Sequence, residues 1–425
     1  MTRHYIKRAL LAAAIALPTG YGAAPSLAAD TVTISHYFTG EMGRKGIEEI
    51  FAKLTAATGI VVKDSPIGHE DFKTGILVRA AGNSLPDVFS YWAGARTKFI
   101  ADAGNIASID AEWAASGLDQ IVEPGIIKNA SMYDGKHYLV PFGYHYAGVF
   151  YNTKVLKDAG ITANPKTWEE FLALCATLKS KGITPIALGS KDQWPAQFWF
   201  DYLLLRTAGP DYRAKLMAGT ASYTDPEVKE AMAKWKELTD AGYFTPQANA
   251  STWTDAADKV AQGKAAMTLM GTWITGYWNG IGLKPGSDYD FFPFPTVKAG
   301  VPDAVVGPVD GLVMSKTAAN KEATWKLMSY LITNTDVQVK WAAVQGALSP
   351  NTKVDTKTYS PVMKHALDEV SKADAFAFNY DLATTPPMAE VGLAMFARFM
   401  DDPSKVDDYL KDVQAKAKDI FAKAQ

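Results

Sequence analysis

From residue 31 the chain alternates short strand-like segments with helical ones. Val32 and Ile34 alternate with polar neighbours over Thr31–Ser35, the period of a strand. Ile47, Ile50, Phe51 and Leu54 then fall on one helical face within residues 43–58, and Gly59 ends the run. Ile60-Val61-Val62 predicts a second strand, and Phe72, Ile76, Leu77 and Ala80 predict a second helix closed by Gly82. Asp87-Val88-Phe89 predicts a third strand. This strand–helix alternation predicts an α/β fold with a parallel sheet, in which ligands sit beyond the carboxyl ends of the strands.

The second half is richer in long helices. Thr167-Trp168-Glu169-Glu170 has the spacing of a capping box and opens a helix that ends at Gly182. Thr224-Asp225-Pro226-Glu227 starts another, with Val228, Met232, Trp235 and Leu238 inward. Further helical patterns cover about 320–333, 336–344, 387–400 and 405–423. Trp168, Trp235, Trp325 and Trp341 lie in such patterns and read as core, as does the thiol of Cys175. Phe291-Phe292-Pro293-Phe294-Pro295 reads as extended. With no repeat, low-complexity tract or flexible linker, two lobes joined by short crossings fit the pattern better than independent beads.

Composition narrows the class. The 425 residues carry 43 Lys+Arg against 45 Asp+Glu, which excludes a basic nucleic-acid binder. A 48% hydrophobic fraction excludes a disordered chain, and a single cysteine excludes an internal disulfide framework. Residues 1–28 have the three parts of a secretory signal peptide: Arg3, Lys7 and Arg8, the apolar run Ala9–Leu17, and the exit Ser26-Leu27-Ala28. Cleavage is expected after Ala28 or Ala29, with no nearby cysteine for lipid attachment, giving a free periplasmic protein.

Catalytic signatures are scarce. There is no Gly-rich phosphate loop, His-Glu-x-x-His or Gly-x-Ser-x-Gly, and the 6 histidines lack metal-ligand spacing, so neither cofactor nor metal is expected. The aromatic residues carry more information. Of 11 tryptophans, Trp92, Trp194, Trp253 and Trp273 fall where loops or strand ends are predicted. A sugar ring presents an apolar C–H face to a flat aromatic and hydroxyls that need carboxylates, amides or His once buried. Glu41, Ser90, His145 and Asp310 lie beside these loop aromatics in the pattern.

Several segments together resemble the extracellular solute-binding proteins, family 1, of ATP-driven sugar importers. Asp134-Gly135-Lys136-His137-Tyr138-Leu139-Val140-Pro141 with Val149-Phe150-Tyr151-Asn152 carries the resemblance, followed by Gly160-Ile161 and Pro165-Lys166-Thr167-Trp168-Glu169-Glu170-Phe171. Leu85-Pro86-Asp87-Val88-Phe89, Gly263-Lys264-Ala265-Ala266-Met267 with Gly271-Thr272-Trp273, and Ser315-Lys316 with Asn320-Lys321-Glu322-Ala323 add to it.

The resemblance implies an α/β, two-lobed periplasmic-binding-protein fold. Each lobe would be a mixed, mostly parallel sheet with flanking helices, joined by three hinge crossings. The N-terminal lobe would take about 29–143 plus 296–345 and the C-terminal lobe 144–295 plus 346–425. It implies ligand-binding roles for Tyr37, Glu41, Ser90, Trp92, His145, Trp194, Trp273 and Asp310, while Gln345 and Tyr380 read as helix-terminal packing. Where maltose-type members carry an acid four residues after the signature proline, this chain has His145, which leaves the sugar open. The expected function is a monomeric receptor that captures a neutral mono- or oligosaccharide and delivers it to an inner-membrane ABC permease, with no catalysis. A same-fold receptor for a polyamine or glycerophosphodiester, and a secreted glycosidase, are the alternatives.

Overall fold

The computed structural model describes residues 30–423; the leader expected over 1–28 lies outside them. The first helix runs from Glu41 to Thr58 and buries Ile47, Ile50, Phe51 and Leu54, the face expected from their spacing. Gly59 ends it in the left-handed conformation (φ 75°), where a side chain would be strained. The following elements also appear: strand Val61–Pro66, helix His69–Ala81 and strand Val88–Trp92. Thr167 and Glu170 form the expected capping box on helix Trp168–Ser180.

Five strands make one sheet, in the order 61–66, 31–36, 88–92, 309–314, 139–144. Thr31–His36 runs parallel to both Val61–Pro66 and Val88–Trp92, whereas Val309–Met314 lies antiparallel between Val88–Trp92 and Leu139–Tyr144. The second sheet has the order 289–292, 147–152, 265–271, 184–186, with only Thr184–Ile186 and Ala265–Gly271 parallel. Both sheets are mixed, but parallel pairs do not predominate as expected. Parallel neighbours need a crossover connection, and Val309–Met314 and Ala147–Asn152 instead enter their sheets directly from the other half of the molecule.

Two apolar cores result. Val32, Phe89, Leu139, Leu312, Leu327 and Trp341 belong to one, and Val149, Phe171, Trp199, Leu269, Phe291 and Val306 to the other. The chain passes between them from Tyr144 to Tyr146, from Val306 to Val309, and again beyond Leu348. Gly307 is required at the second passage, because a Cβ there would lie 1.8 Å from the His145 carbonyl oxygen. Trp168, Trp235 and Trp341 are fully buried as expected; Trp325 is only half-buried and donates to Ser116 Oγ at 2.9 Å.

Helix Trp194–Met217 has little one-sided pattern because every residue from Trp194 to Thr207 is buried. Gly209 (φ 82°, ψ 168°) breaks it ahead of Pro210. Arg213, beyond the break, donates from Nη2 to Asp201 Oδ1 (2.6 Å) before it, and to the Phe378 carbonyl (2.6 Å). Asp201 Oδ2 accepts from the Tyr380 N–H at 2.8 Å. Burial pushes the Asp201 carboxyl up to about 6 against the pull of Arg213. Arg213→Met leaves this carboxylate without its cation, and urea unfolding is expected to show a loss of about 3–5 kcal/mol. A loss below about 1 kcal/mol, the range of a solvated surface pair, would contradict a buried ion pair here.

Candidate functional site

The carboxyl ends of the parallel strands meet between the two cores. Tyr37 follows Thr31–His36, and Trp92 ends Val88–Trp92. Asp310 is the cross-strand partner of Trp92 and also pairs with Gly143, just before a bulge at Gly311. From the other core, Trp273 follows strand Ala265–Gly271 and Trp194 follows the loop after Thr184–Ile186. Trp194, Trp253 and Trp273 are each the first residue of a helix rather than members of loops. Gly271 allows the indole to turn back, since a Cβ there would lie 2.0 Å from the Trp273 ring.

Between these edges lies a cavity of about 700 Å³. Of the residues expected at a site, Tyr37, Glu41, Trp92, His145, Trp194, Trp273 and Asp310 line it. Ser90 does not: it is fully buried, and its Oγ accepts the Tyr37 N–H at 3.3 Å. Gln345 lines the cavity instead of serving only as helix-end packing, because helix Thr335–Gln345 ends against helix Trp273–Gly280. Tyr380 is buried away from it, its hydroxyl 2.6 Å from that of Tyr223.

Asp310 organises the inner end. The Tyr37 hydroxyl donates to Oδ1 at 2.6 Å, and His145 Nε2 is 3.2 Å from Oδ2. Burial, then the Asp310 charge, push the Tyr37 phenol well above its ordinary range, so it remains a donor. His145 Nδ1 lies 3.2 Å from the Gly346 carbonyl and 3.0 Å from Thr272 Oγ1. Tyr37 stacks on Trp92, ring centroids 4.2 Å apart and planes 10° apart. Trp273 is half-buried, meeting His145 edge-on at 5.3 Å and Trp194 at 5.8 Å.

Residues that sequence reasoning missed complete the wall. Gln197 and Asn379 line the cavity, both buried. Gln197 Oε1 accepts the Asp381 N–H at 2.8 Å, which fixes the amide and turns Nε2 elsewhere. Asn379 Nδ2 donates to Asp381 Oδ1 at 2.5 Å, which likewise fixes its carbonyl oxygen. Gln197 Nε2 and Asn379 Oδ1 have no partner among the described residues. A buried polar atom left unpaired costs about 1–3 kcal/mol, so each of these two lining residues carries a polar atom that gains from a new partner. Gln197 was findable in principle, three residues beyond Trp194 and on its helical face. Asn379 and Asp381 carry no local signal, since residues 379–381 reach the cavity only through tertiary packing.

Six carboxylates line the cavity (Glu41, Glu70, Asp71, Asp192, Asp310 and Asp381) against one lysine, Lys73. Burial and then Glu70 push the Asp192 carboxyl up. Such a wall disfavours an anionic ligand. Among the described residues no cluster of three or more His, Cys, Asp or Glu is arranged to hold a metal ion, and no helix is long and apolar enough to cross a membrane.

The sequence pattern that defines the bacterial extracellular solute-binding proteins matches residues 40–338. The chain belongs to this family. An ABC transporter extracellular-binding protein of Pyrococcus horikoshii is 29% identical over 347 residues, covering 80% of this chain and 76% of the relative. A probable sugar-binding periplasmic protein of Brucella melitensis is 26% identical, covering 81% of this chain and 80% of its own. Among solved structures, the bacterial solute receptor AcbH, described as exclusive for β-D-galactopyranose, superposes with a TM-score of 0.86 at 27% identity, over 92% of this chain and 100% of its own. The family and fold are those of binding proteins, and the two cores correspond to a two-lobed solute-binding protein fold.

In this solute-binding protein a direct hydrogen bond spans the cavity. Trp194 Nε1 donates to Glu70 Oε1 at 3.0 Å, joining the second core to helix His69–Ala81 of the first. Burial pushes the Glu70 carboxyl up, but the hydrogen bond from His69 and the charge of Lys73 outweigh it and bring it down to about 2. His69 and Lys73 lie on the same helix as Glu70, so they favour its ionised form whether or not Trp194 meets it. Glu70 is 42% exposed, so solvent screening weakens its attraction to Lys73. Small-angle scattering and tryptophan fluorescence at pH 7 are expected to show Glu70→Ala, which removes the acceptor of the Trp194 indole, shifted toward parted cores relative to wild type. Identical profiles for wild type and variant would show that the bond does not hold the cores together.

Proposed function

We propose that this chain is a periplasmic receptor that captures a neutral mono- or oligosaccharide and hands it to the permease of an ATP-driven inner-membrane importer. The observation that carries this reading is the pairing of a half-buried indole, Trp273, with the unpartnered Gln197 N–H and Asn379 oxygen on one cavity wall. A sugar supplies the matching features: a C–H face for the indole and hydroxyls that both donate and accept. The sugar-binding description of the Brucella relative and the galactopyranose preference of AcbH support the same class.

The mechanism is closure of the two core-bearing lobes on the solute. One lobe offers Tyr37, Glu41, Trp92 and Asp310, with Ser90 holding the Tyr37 backbone; His145, Trp194 and Trp273 face them. A solute touching both sides stabilises the closed form only by its differential affinity for closed over open. The protein acts as a monomer, is released into the periplasm by removal of the leader, and leaves its solute chemically unchanged.

A second reading, a receptor for an amine-bearing solute such as a polyamine, is favoured by one observation: the excess of carboxylates over cations in the lining. Three of those acids are engaged by the protein: Asp310 by Tyr37 and His145, Glu70 by His69 and Trp194, Asp381 by Asn379. That engagement makes the neutral sugar the better fit.

Calorimetric titration of refolded, ligand-stripped protein with sugars and with spermidine separates the readings, with the same tubes assayed for turnover. One saturable sugar and no product is the expected result; product would make the protein an enzyme, and spermidine binding with silent sugars would establish the amine reading. Trp273→Ala is expected to weaken sugar binding by about 1–3 kcal/mol with the melting transition retained. A variant that unfolds without selective loss of affinity would make Trp273 a core residue instead.

A further inference from the structure

The cavity wall continues outward from the inner site along helix Trp273–Gly280. Trp273 and Tyr277 are four residues apart, so they share one face of that helix, about one turn and ~6 Å from each other along its axis. Both are half-buried, while Ile274 and Trp278 are fully buried in the second core. Trp253, at the start of helix Trp253–Ala261, meets Tyr277 edge to face, with centroids 5.5 Å apart and planes at 67°. It too is half-buried.

This outer pair is built rather than incidental. Thr252 and Asp255 cap the helix that carries Trp253 reciprocally, and the Tyr277 hydroxyl donates to Asp258 Oδ1 at 2.8 Å on the same helix. Neither ring is needed by the inner site, where His145, Asp310 and Gln197 are 4%, 7% and 0% exposed. Toward the rim, Met42 and Ile281 are 38% and 50% exposed, and Glu41 and Thr254 add polar groups to the same cavity lining. Polar groups beside a fixed aromatic surface are what a sugar ring needs, and the one-turn offset from Trp273 is comparable to the length of one pyranose unit.

We propose that Trp253 and Tyr277 form a second, outer sugar subsite, so that the solute is at least a disaccharide. Its inner ring lies against Trp273 and its next ring against the Trp253–Tyr277 pair. This rests on the sugar-receptor reading above and adds the length of the ligand to it.

The test is calorimetry on the mature protein with matched probes: glucose against maltose and cellobiose, galactose against lactose, xylose against xylobiose. One disaccharide is expected to bind at least about tenfold more tightly than its own monosaccharide. Trp253→Ala is expected to remove that gain and leave monosaccharide affinity within about twofold, whereas Tyr277→Phe, which keeps the ring, retains it. A monosaccharide that binds as tightly as every disaccharide containing it would overturn the outer subsite and leave the receptor reading intact. That comparison uses the unaltered protein, so it decides even if Trp253→Ala fails to fold. Absence of binding by any sugar would overturn the receptor reading and the subsite with it.

Discussion

A buried carboxylate at the junction of the two cores sets the terms for everything around it. Asp310 is 7% exposed, and a polar group so placed is tolerated only when its oxygens are taken up. Tyr37 supplies one partner from the first core and His145 the other from the passage between cores. The imidazole reaches on to Thr272 and to the carbonyl of Gly346. Tyr37 and His145, and through His145 also Thr272 and Gly346, therefore join Asp310 in one network drawn from distant parts of the chain. The strand register that pairs Asp310 with Trp92 and Gly143 is correspondingly constrained, because a one-residue slip would turn the carboxylate to the other face of the sheet.

The aromatic wall follows from where strands end and helices begin. Trp92 closes a strand, Trp273 opens the helix that follows one, and Trp194 opens a helix just past the loop after another. Each ring is thus anchored by a regular element while part of its surface borders the cavity. Glu70 closes the arrangement from the far side through the Trp194 indole, in a hydrogen bond between groups on different cores. Direct protein contacts of this kind set the balance between open and closed forms that any solute must shift.

The polar lining of the cavity is held by a network that runs into the second core. Arg213 and Asp201 bridge the break at Gly209 and fix residues 378–380, which leaves Asn379 and Asp381 presented beside Gln197. Each amide makes one bond to Asp381, so its remaining polar atom is oriented before a ligand arrives. Preorganisation of this kind reduces the ordering cost of binding.

Local physics alone determined a large part of this protein. The apolar spacing on helix Glu41–Thr58, the Thr167–Glu170 capping box and the short alternating strands depend on neighbours within a few residues, and all of them formed as read. Trp92 at its strand end was visible for the same reason, whereas Trp194, Trp253 and Trp273 open helices that the local pattern did not mark. Strand direction was not, because Val309–Met314 runs antiparallel as a consequence of entering from the other half of the molecule. Helix Trp194–Met217 was hidden because burial on every side over Trp194–Thr207 erases the period that marks a helix. The polar partners were hidden for a related reason: nothing in the residues around Asn379, Asp381 or Glu70 records that they meet Gln197 and Trp194, more than a hundred positions away. Side-chain types and local elements are written in short-range sequence, whereas the pairing of buried polar groups is decided only when distant segments pack and must satisfy one another's hydrogen bonds.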